Sequence, residues 1–212
     1  MVASDAMSAT GLNFKNLASS VLDHSTQAGR APLRDRRNDC YDTPPQAVHA
    51  LLRHQQLPRI IWECACGSGN IVQVLRDAGH FVIATDLNDR GCPDSQHRID
   101  FLLPFPGTNV DAIVTNPPYA LAERFVETAL DRAPMVVMLL RLAFLESDRR
   151  SRVLDGGMLA RVLVFANRLP MMHRPDHTGP RLKTSAMPFA WFVWRRDHVG
   201  PTTVQRIRWE SA

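Results

Sequence analysis

The 212-residue sequence predicts an α/β fold built on a mostly parallel sheet. Three observations predict it. From Tyr41 onward, apolar strand-like runs alternate with amphipathic helical stretches. One run, Met135 to Leu140, is apolar throughout, as a strand buried on both faces is. The short polar motifs fall at the ends of predicted strands, the rim on which parallel sheets bind ligands.

The elements follow in order. Residues 1–40 carry Ser, Thr, Gly and Asp with little periodicity and read as a flexible N-terminal arm. A helical stretch around Leu12 to Leu22 and a cluster of Arg30, Arg34, Arg36 and Arg37 are its main features, and Asp35 and Asp39 offset the cluster. Residues 41–212 read as one domain. Thr43 is placed to cap a helix opened by Pro44 and Pro45, with Val48, Leu51 and Leu52 on one face. A strand from Ile60 to Cys64 breaks into Gly67-Ser68-Gly69. A helix with Ile71, Val72, Val74 and Leu75 apolar follows and stops at Gly79. Phe81 to Thr85 is a second strand, closed by Asp86, and a short third strand is predicted to end at Ile99-Asp100. Val110 to Thr115 is the fourth, ending in Asn116-Pro117-Pro118-Tyr119. A helix over Ala120 to Ala133, the Met135–Leu140 strand, a helix over Leu145 to Leu154 and strands Arg161–Phe165 and Phe189–Trp194 complete the reading.

Composition narrows the class. An apolar fraction of 45% with 22% charged residues excludes a wholly disordered or fibrous chain. No apolar run approaches the roughly 18–20 residues that cross a bilayer, and no basic segment leads into an apolar one as in a secretory signal. Cys40, Cys64, Cys66 and Cys92 follow no disulfide framework. A cytoplasmic setting is the expectation. Of the 25 basic residues, only Lys15 and Lys183 are lysines, and 15 fall in residues 120–212 against nine acidic ones. Arginine suits bidentate phosphate contacts, though a solvated surface explains the same excess.

Two motifs carry chemistry. In Glu63-Cys64-Ala65-Cys66-Gly67-Ser68-Gly69, two glycines directly after a strand let a ligand approach the backbone. No Lys-Ser/Thr follows at phosphate-loop spacing, and the third glycine of the dinucleotide fingerprint is missing. Asp86, at the end of the next strand, can accept hydrogen bonds from ribose hydroxyls. A tight turn is the alternative. In Asn116-Pro117-Pro118-Tyr119, the prolines remove two backbone donors and fix φ, and they push Asn116 toward extended backbone. The result is a rigid shelf with an amide at one end and an aromatic face at the other, suited to a planar amino group. A plain Pro-Pro turn explains the prolines but not Asn116 and Tyr119.

Together these motifs resemble the class I S-adenosylmethionine-dependent methyltransferases that carry an Asn-Pro-Pro-Tyr signature, and in particular small stand-alone, often phage-encoded, DNA adenine methyltransferases. The resemblance covers Tyr41 to Trp194. It implies a Rossmann-like class I methyltransferase fold, a seven-stranded mostly parallel sheet with helices on both faces, and S-adenosylmethionine as cofactor. It implies a catalytic role for Asn116, Pro117, Pro118 and Tyr119. Cofactor contacts are implied for Tyr41 and Thr43, for Glu63, Ala65, Gly67 and Gly69, for Asp86 with Leu87, and for Asp100 with Phe101 at the adenine ring. The implied substrate is the 6-amino group of adenine in a nucleic acid, most often DNA. RNA adenine or a glutamine side chain offers the same planar NH₂, and a non-catalytic nucleic-acid-binding module is a further reading. No separate target-recognition domain of the restriction type is expected.

Other residues are weaker signals. His173, Arg174, Arg181 and Lys183 fall in a predicted loop before Pro188 and are the candidate substrate-facing residues. Arg149, Arg150 and Arg152 form a basic cluster that either touches nucleic acid or faces solvent. Trp191 is read as a core position rather than a substrate contact. Cys64 and Cys66 lack the second pair that a zinc site needs, and the histidines show no ligand spacing, so no metal is expected.

Overall fold

The computed structural model describes residues 42–104, 109–170 and 187–210. The predicted arm (residues 1–40), Tyr41, and the loop residues His173, Arg174, Arg181 and Lys183 lie outside them.

Seven strands form one sheet: β1 (Ile60–Glu63), β2 (Phe81–Ala84), β3 (Ala112–Thr115), β4 (Met135–Arg141), β5 (Leu159–Phe165), β6 (Phe189–Arg195) and β7 (Thr203–Ile207). Their order is β2-β1-β3-β4-β6-β5-β7. β6 runs antiparallel to both neighbours, and every other pairing is parallel. Among the described residues the helices are α1 (Pro45–His54), α2 (Asn70–Asp77), α3 (Ala122–Arg132) and the short α4 (Ser151–Leu154).

Side chains that alternate along each strand build two cores, one on each face. On one face Ile61, Val114, Val137, Leu139 and Trp191 pack with Ala47, Val48 and Leu51 of α1 and with Ile71 and Leu75 of α2. On the other, Trp62, Ile113, Met138, Phe192 and Trp194 pack with Phe125, Val126 and Ala129 of α3 and with Val153 of α4. Helices thus cover both faces, as expected. Met135–Arg141, central in the sheet, is buried at every position except its two ends, which accounts for its unbroken apolar sequence.

Three expectations are corrected. No strand ends at Ile99-Asp100. That segment contributes a single parallel bridge, Thr85 to Gln96, because residues 88–98 lack an apolar run and turn repeatedly, with positive φ at Gly91, Asp94 and Arg98. The seventh strand is instead β7. Among its residues only Ile207 is buried, so an exposed edge strand gave no apolar run to read. The helix over Leu145 to Leu154 is two short 3-10 turns, Leu142–Leu145 and Asp148–Arg150, followed by the four residues of α4. Extended backbone at Ser147 (φ −169°) interrupts it.

The strand order also fixes where a ligand belongs. From β1 the chain moves outward to β2, then returns to place β3 on the other side of β1. Such a reversal opens a crevice beyond the carboxyl ends of the two central strands. Glu63 closes β1 and Thr115 closes β3, so the glycine loop and Asn116 stand on the two lips of that crevice.

Candidate functional site

The loop after β1 is held from several sides. Gly67 adopts φ +54° and Gly69 φ +93°. The Gly67 N–H donates to Asp86 Oδ2 at 2.9 Å, and the Gly69 N–H donates to the Cys66 carbonyl at 2.8 Å. A Cβ added to Gly69 would come within 2.9 Å of Cys92 Sγ, so glycine is needed there for space as well as for φ. Asp86 is nearly buried, and its Oδ1 accepts the Asn88 N–H at 2.8 Å. Two of the roughly four lone-pair sites of a carboxylate are thereby used, and Arg90 Nε stands 3.8 Å from Oδ1, so a ligand's hydroxyls would share the remaining capacity with that cation. Beside it, Leu87 is 57% exposed, an apolar side chain presented on the rim.

Glu63 lies wholly beneath the loop. Its Oε1 accepts the Ala65 N–H at 3.0 Å, and its Oε2 is buried. Burial pushes its carboxyl from the usual 4.5 up to about 8, although Thr115 and the Ala65 N–H pull the other way. At neutral pH this carboxyl holds its proton, and a cation above the loop would draw it toward the carboxylate. Being fully covered, it would act on such a ligand through that ionisation and through the shape of the loop.

Thr43 joins the two lips of the crevice. Its Oγ1 accepts the Asn116 Nδ2–H at 3.0 Å, and its carbonyl accepts Asn70 Nδ2–H at 3.1 Å. Next to it, Asp42 Oδ1 accepts the Ser68 hydroxyl at 2.9 Å. Thr43 is therefore not the helix cap that its position suggests. The cap of α1 is Pro44, which makes no side-chain bond, and the Thr43 hydroxyl serves the shelf. Asp42, Ser68 and Asn70 complete this clamp. Sequence reasoning did not single them out, since a short polar side chain beside a glycine loop has no distinctive spacing.

On the other lip, Asn116 follows β3, Pro117 is buried, and Tyr119 opens a 3-10 turn, Tyr119–Leu121. The Pro118 carbonyl accepts the Leu121 N–H at 2.9 Å. The Tyr119 ring lies 5.7 Å from that of Phe189, and the Arg141 guanidinium lies 4.6 Å from its centre.

Phe101 is a correction. It is 2% exposed, packs against Trp62 and Phe125 with ring centres 5.2 and 5.0 Å apart, and is covered by the Arg132 guanidinium at 4.8 Å. Its ring belongs to the core and has no free face for an adenine. Asp100 folds a local turn, with Oδ1 accepting the Leu102 N–H at 2.9 Å. Trp191 is fully buried and donates from Nε1 to the Ala47 carbonyl at 2.9 Å, a core role as read. Within the basic cluster, Arg150 donates to the Ala143 and Phe144 carbonyls, and Arg152 lies 3.6 Å from Glu127. Cys64, Cys66 and Cys92 are buried free thiols. Among the described residues no cluster of three or more His, Cys, Asp or Glu is arranged to hold a metal ion, and no helix is long and apolar enough to cross a membrane.

Sheet, crevice and loop define a class: this is the Rossmann-like class I methyltransferase fold, a mixed, mostly parallel seven-stranded sheet flanked by helices, whose cofactor in that class is S-adenosylmethionine. The particular likenesses are to solved structures. One is the Mtq2–Trm112 complex of E. cuniculi, responsible for methylating the eRF1 translation termination factor, with 19% identity and a TM-score of 0.55 over 75% of this chain and 99% of that one. A second is a candidate RNA methyltransferase from Pyrococcus horikoshii, with 13% identity and a TM-score of 0.57 over 87% of this chain and 98% of that one. A third is the modification subunit of a proposed type I restriction enzyme from Vibrio vulnificus, with 12% identity and a TM-score of 0.54 over 91% of this chain and 50% of that one. No family model and no curated protein sequence matches the chain.

Proposed function

We propose that this chain is an amino-methyltransferase that acts on the 6-amino group of adenine in nucleic acid, with DNA the first polymer to test. The observation that carries the reading is the anchored amide of Asn116. Its Nδ2 donates to Thr43 Oγ1, which fixes Oδ1 at the opposite edge of the amide, at the head of a proline shelf beside an aromatic ring.

When bound, S-adenosylmethionine supplies an electron-poor methyl group on a sulfonium. The residues present fit it. Asp86 keeps acceptor sites for ribose hydroxyls, Leu87 offers an apolar surface beside them, and Glu63 provides a carboxyl that a cation would stabilise. The chain's own task is to make an aromatic amine nucleophilic, since the lone pair of such an amine is delocalised into its ring. Asn116 Oδ1 and one proline carbonyl would accept the two N–H bonds and draw the nitrogen toward tetrahedral geometry. That second acceptor is assigned to the Pro117 carbonyl, since the Pro118 carbonyl already accepts the Leu121 N–H and keeps only one lone pair. Tyr119 would hold the flat face of the base, which must leave its stack to reach the site. The shelf would hold the lone pair toward that methyl group, and the methylated nitrogen, left cationic, would shed a proton to water. Orientation and fixed dipoles supply the rate, and no strong base is required.

A second reading has its own support. A chain of the eRF1-methylating complex resembles 75% of this chain across 99% of its own length, and a glutamine side chain presents the same planar NH₂. The test offers radiolabelled S-adenosylmethionine with duplex DNA, heat-denatured DNA, total RNA and a protein extract, followed by digestion and identification of the labelled unit. Label in N6-methyladenine is the expected result, and label in methylglutamine would move the substrate to protein. Asn116→Ala should abolish turnover while holding cofactor affinity within about threefold. Full turnover in that variant would discard the shelf mechanism.

A further inference from the structure

We infer that Arg141 is a substrate-binding residue that takes a backbone phosphate of the nucleotide held at the shelf. The inference rests on the nucleic-acid reading above and deepens it.

Arg141 is the last residue of β4 and lies opposite Phe189 in the β4–β6 ladder. β4 is the direct neighbour of β3, so the side chain rises on the same rim as Asn116. Its guanidinium stands 4.6 Å from the centre of the Tyr119 ring, against the aromatic group assigned to the base.

Among the described residues, two other arginines stack on rings and serve as an internal comparison. Arg132 covers Trp62 and Phe101 and donates to the Phe101 and Leu103 carbonyls. Arg150 covers Phe144 and donates to the Ala143 and Phe144 carbonyls. In both, the stacked guanidinium ties two chain segments together and its N–H groups are spent on backbone oxygen. Arg141 stacks in the same way but donates no hydrogen bond among the described residues. Its Nε is buried without an acceptor, and no described carboxylate lies within ion-pair distance of it.

The buried Nε lies out of a ligand's reach, but the two terminal nitrogens are neither buried nor spent on described residues, and they are the groups a ligand would complete. The planar fork of a guanidinium matches the oxygens of a phosphate. A nucleotide carries such a group next to the base that Tyr119 would hold, whereas a glutamine in a peptide carries no anion of its own. The residue therefore points to nucleic acid and away from a protein substrate.

The test uses the full chain and an oligonucleotide of whichever polymer takes label, with kcat and KM measured across a salt series. Arg141→Gln should raise KM about tenfold, the loss of one charge-assisted contact, with kcat within about twofold. The slope of log(kcat/KM) against log[salt] should shrink by about 0.7–0.9, one phosphate contact. Arg141→Lys should restore the slope. Arg141→Met, which keeps the apolar stem, replaces the glutamine variant if that one does not fold. A purely structural role would lower kcat by displacing Tyr119 and leave the slope alone, and an unchanged slope in a nucleic-acid-active enzyme overturns this inference only. Label confined to protein in the wild type overturns the substrate reading and this inference together.

Discussion

The Thr43 hydroxyl accepts the Asn116 Nδ2–H at 3.0 Å from a position 73 residues earlier in the chain. This bond separates two properties of the shelf, the presence of the amide and its orientation. Thr43→Val keeps the shape of a mostly buried side chain and removes only the acceptor. The amide is then free to turn its NH₂ toward the substrate, where a donor would oppose another donor. We expect kcat to fall by about tenfold, the worth of one neutral hydrogen bond at the upper end of its range, with Thr43→Ser restoring most of it. Single-turnover rates on labelled substrate measure this. If Thr43→Val turns over as fast as the wild type, Asn116 is oriented by something else. Gly69 is constrained by geometry of another kind, with both its φ and the nearby Cys92 Sγ excluding a side chain. In the sequence it is legible only as the second glycine of a loop.

At the scale of elements, β6 ties the two faces together. Trp191 donates to the Ala47 carbonyl of α1, and Trp194 on the opposite face donates to the Val153 carbonyl of α4 at 2.7 Å. Trp191→Phe should therefore cost about 2–4 kcal/mol, combining lost buried area with a carbonyl left unpaired. Urea unfolding followed by circular dichroism would show this as a lower midpoint with an unchanged slope. The elements that could be read from the sequence share this character of deep burial. β1, β3, β4 and β6 are apolar because both of their faces are covered, and α2 shows its buried stripe at Ile71, Val72, Val74 and Leu75. β7 lies at an edge with Val204 68% exposed, so nothing in its sequence needed to be apolar. The polar segment 88–98 was read through to a strand at Ile99-Asp100, where the chain forms one bridge and a turn. The site divides in the same way. The positions of Asp86, Gly67 and Asn116 were legible because each follows the end of an apolar strand. Arg141 was not, since an arginine ending an apolar strand reads as a solvated terminus until its contact with Tyr119 is seen.

For the whole molecule, the Glu63 carboxyl couples folding, pH and ligand. Burial raises it to about 8 from the usual 4.5, with Thr115 and the Ala65 N–H opposing and the Asp86 charge adding. Between those two values the folded chain keeps a proton that the unfolded chain has released. Stability is therefore fully present below the lower value and declines as pH rises through the upper one, by an amount on the order of a few kcal/mol. Glu63→Gln carries no such proton. Its unfolding free energy should stay flatter between pH 5 and pH 8 than that of the wild type, as urea titrations at several pH values would show. A cationic ligand over the loop works in the opposite direction: by favouring the carboxylate it lowers the pKa, so binding must release a proton. Calorimetry of S-adenosylmethionine binding at pH 7, in two buffers of different ionisation enthalpy, should find proton release in the wild type and none in Glu63→Gln. Equal release by both proteins would remove Glu63 from the linkage. Release in the wild type alone would make the buried carboxyl the group through which the cofactor stabilises the fold.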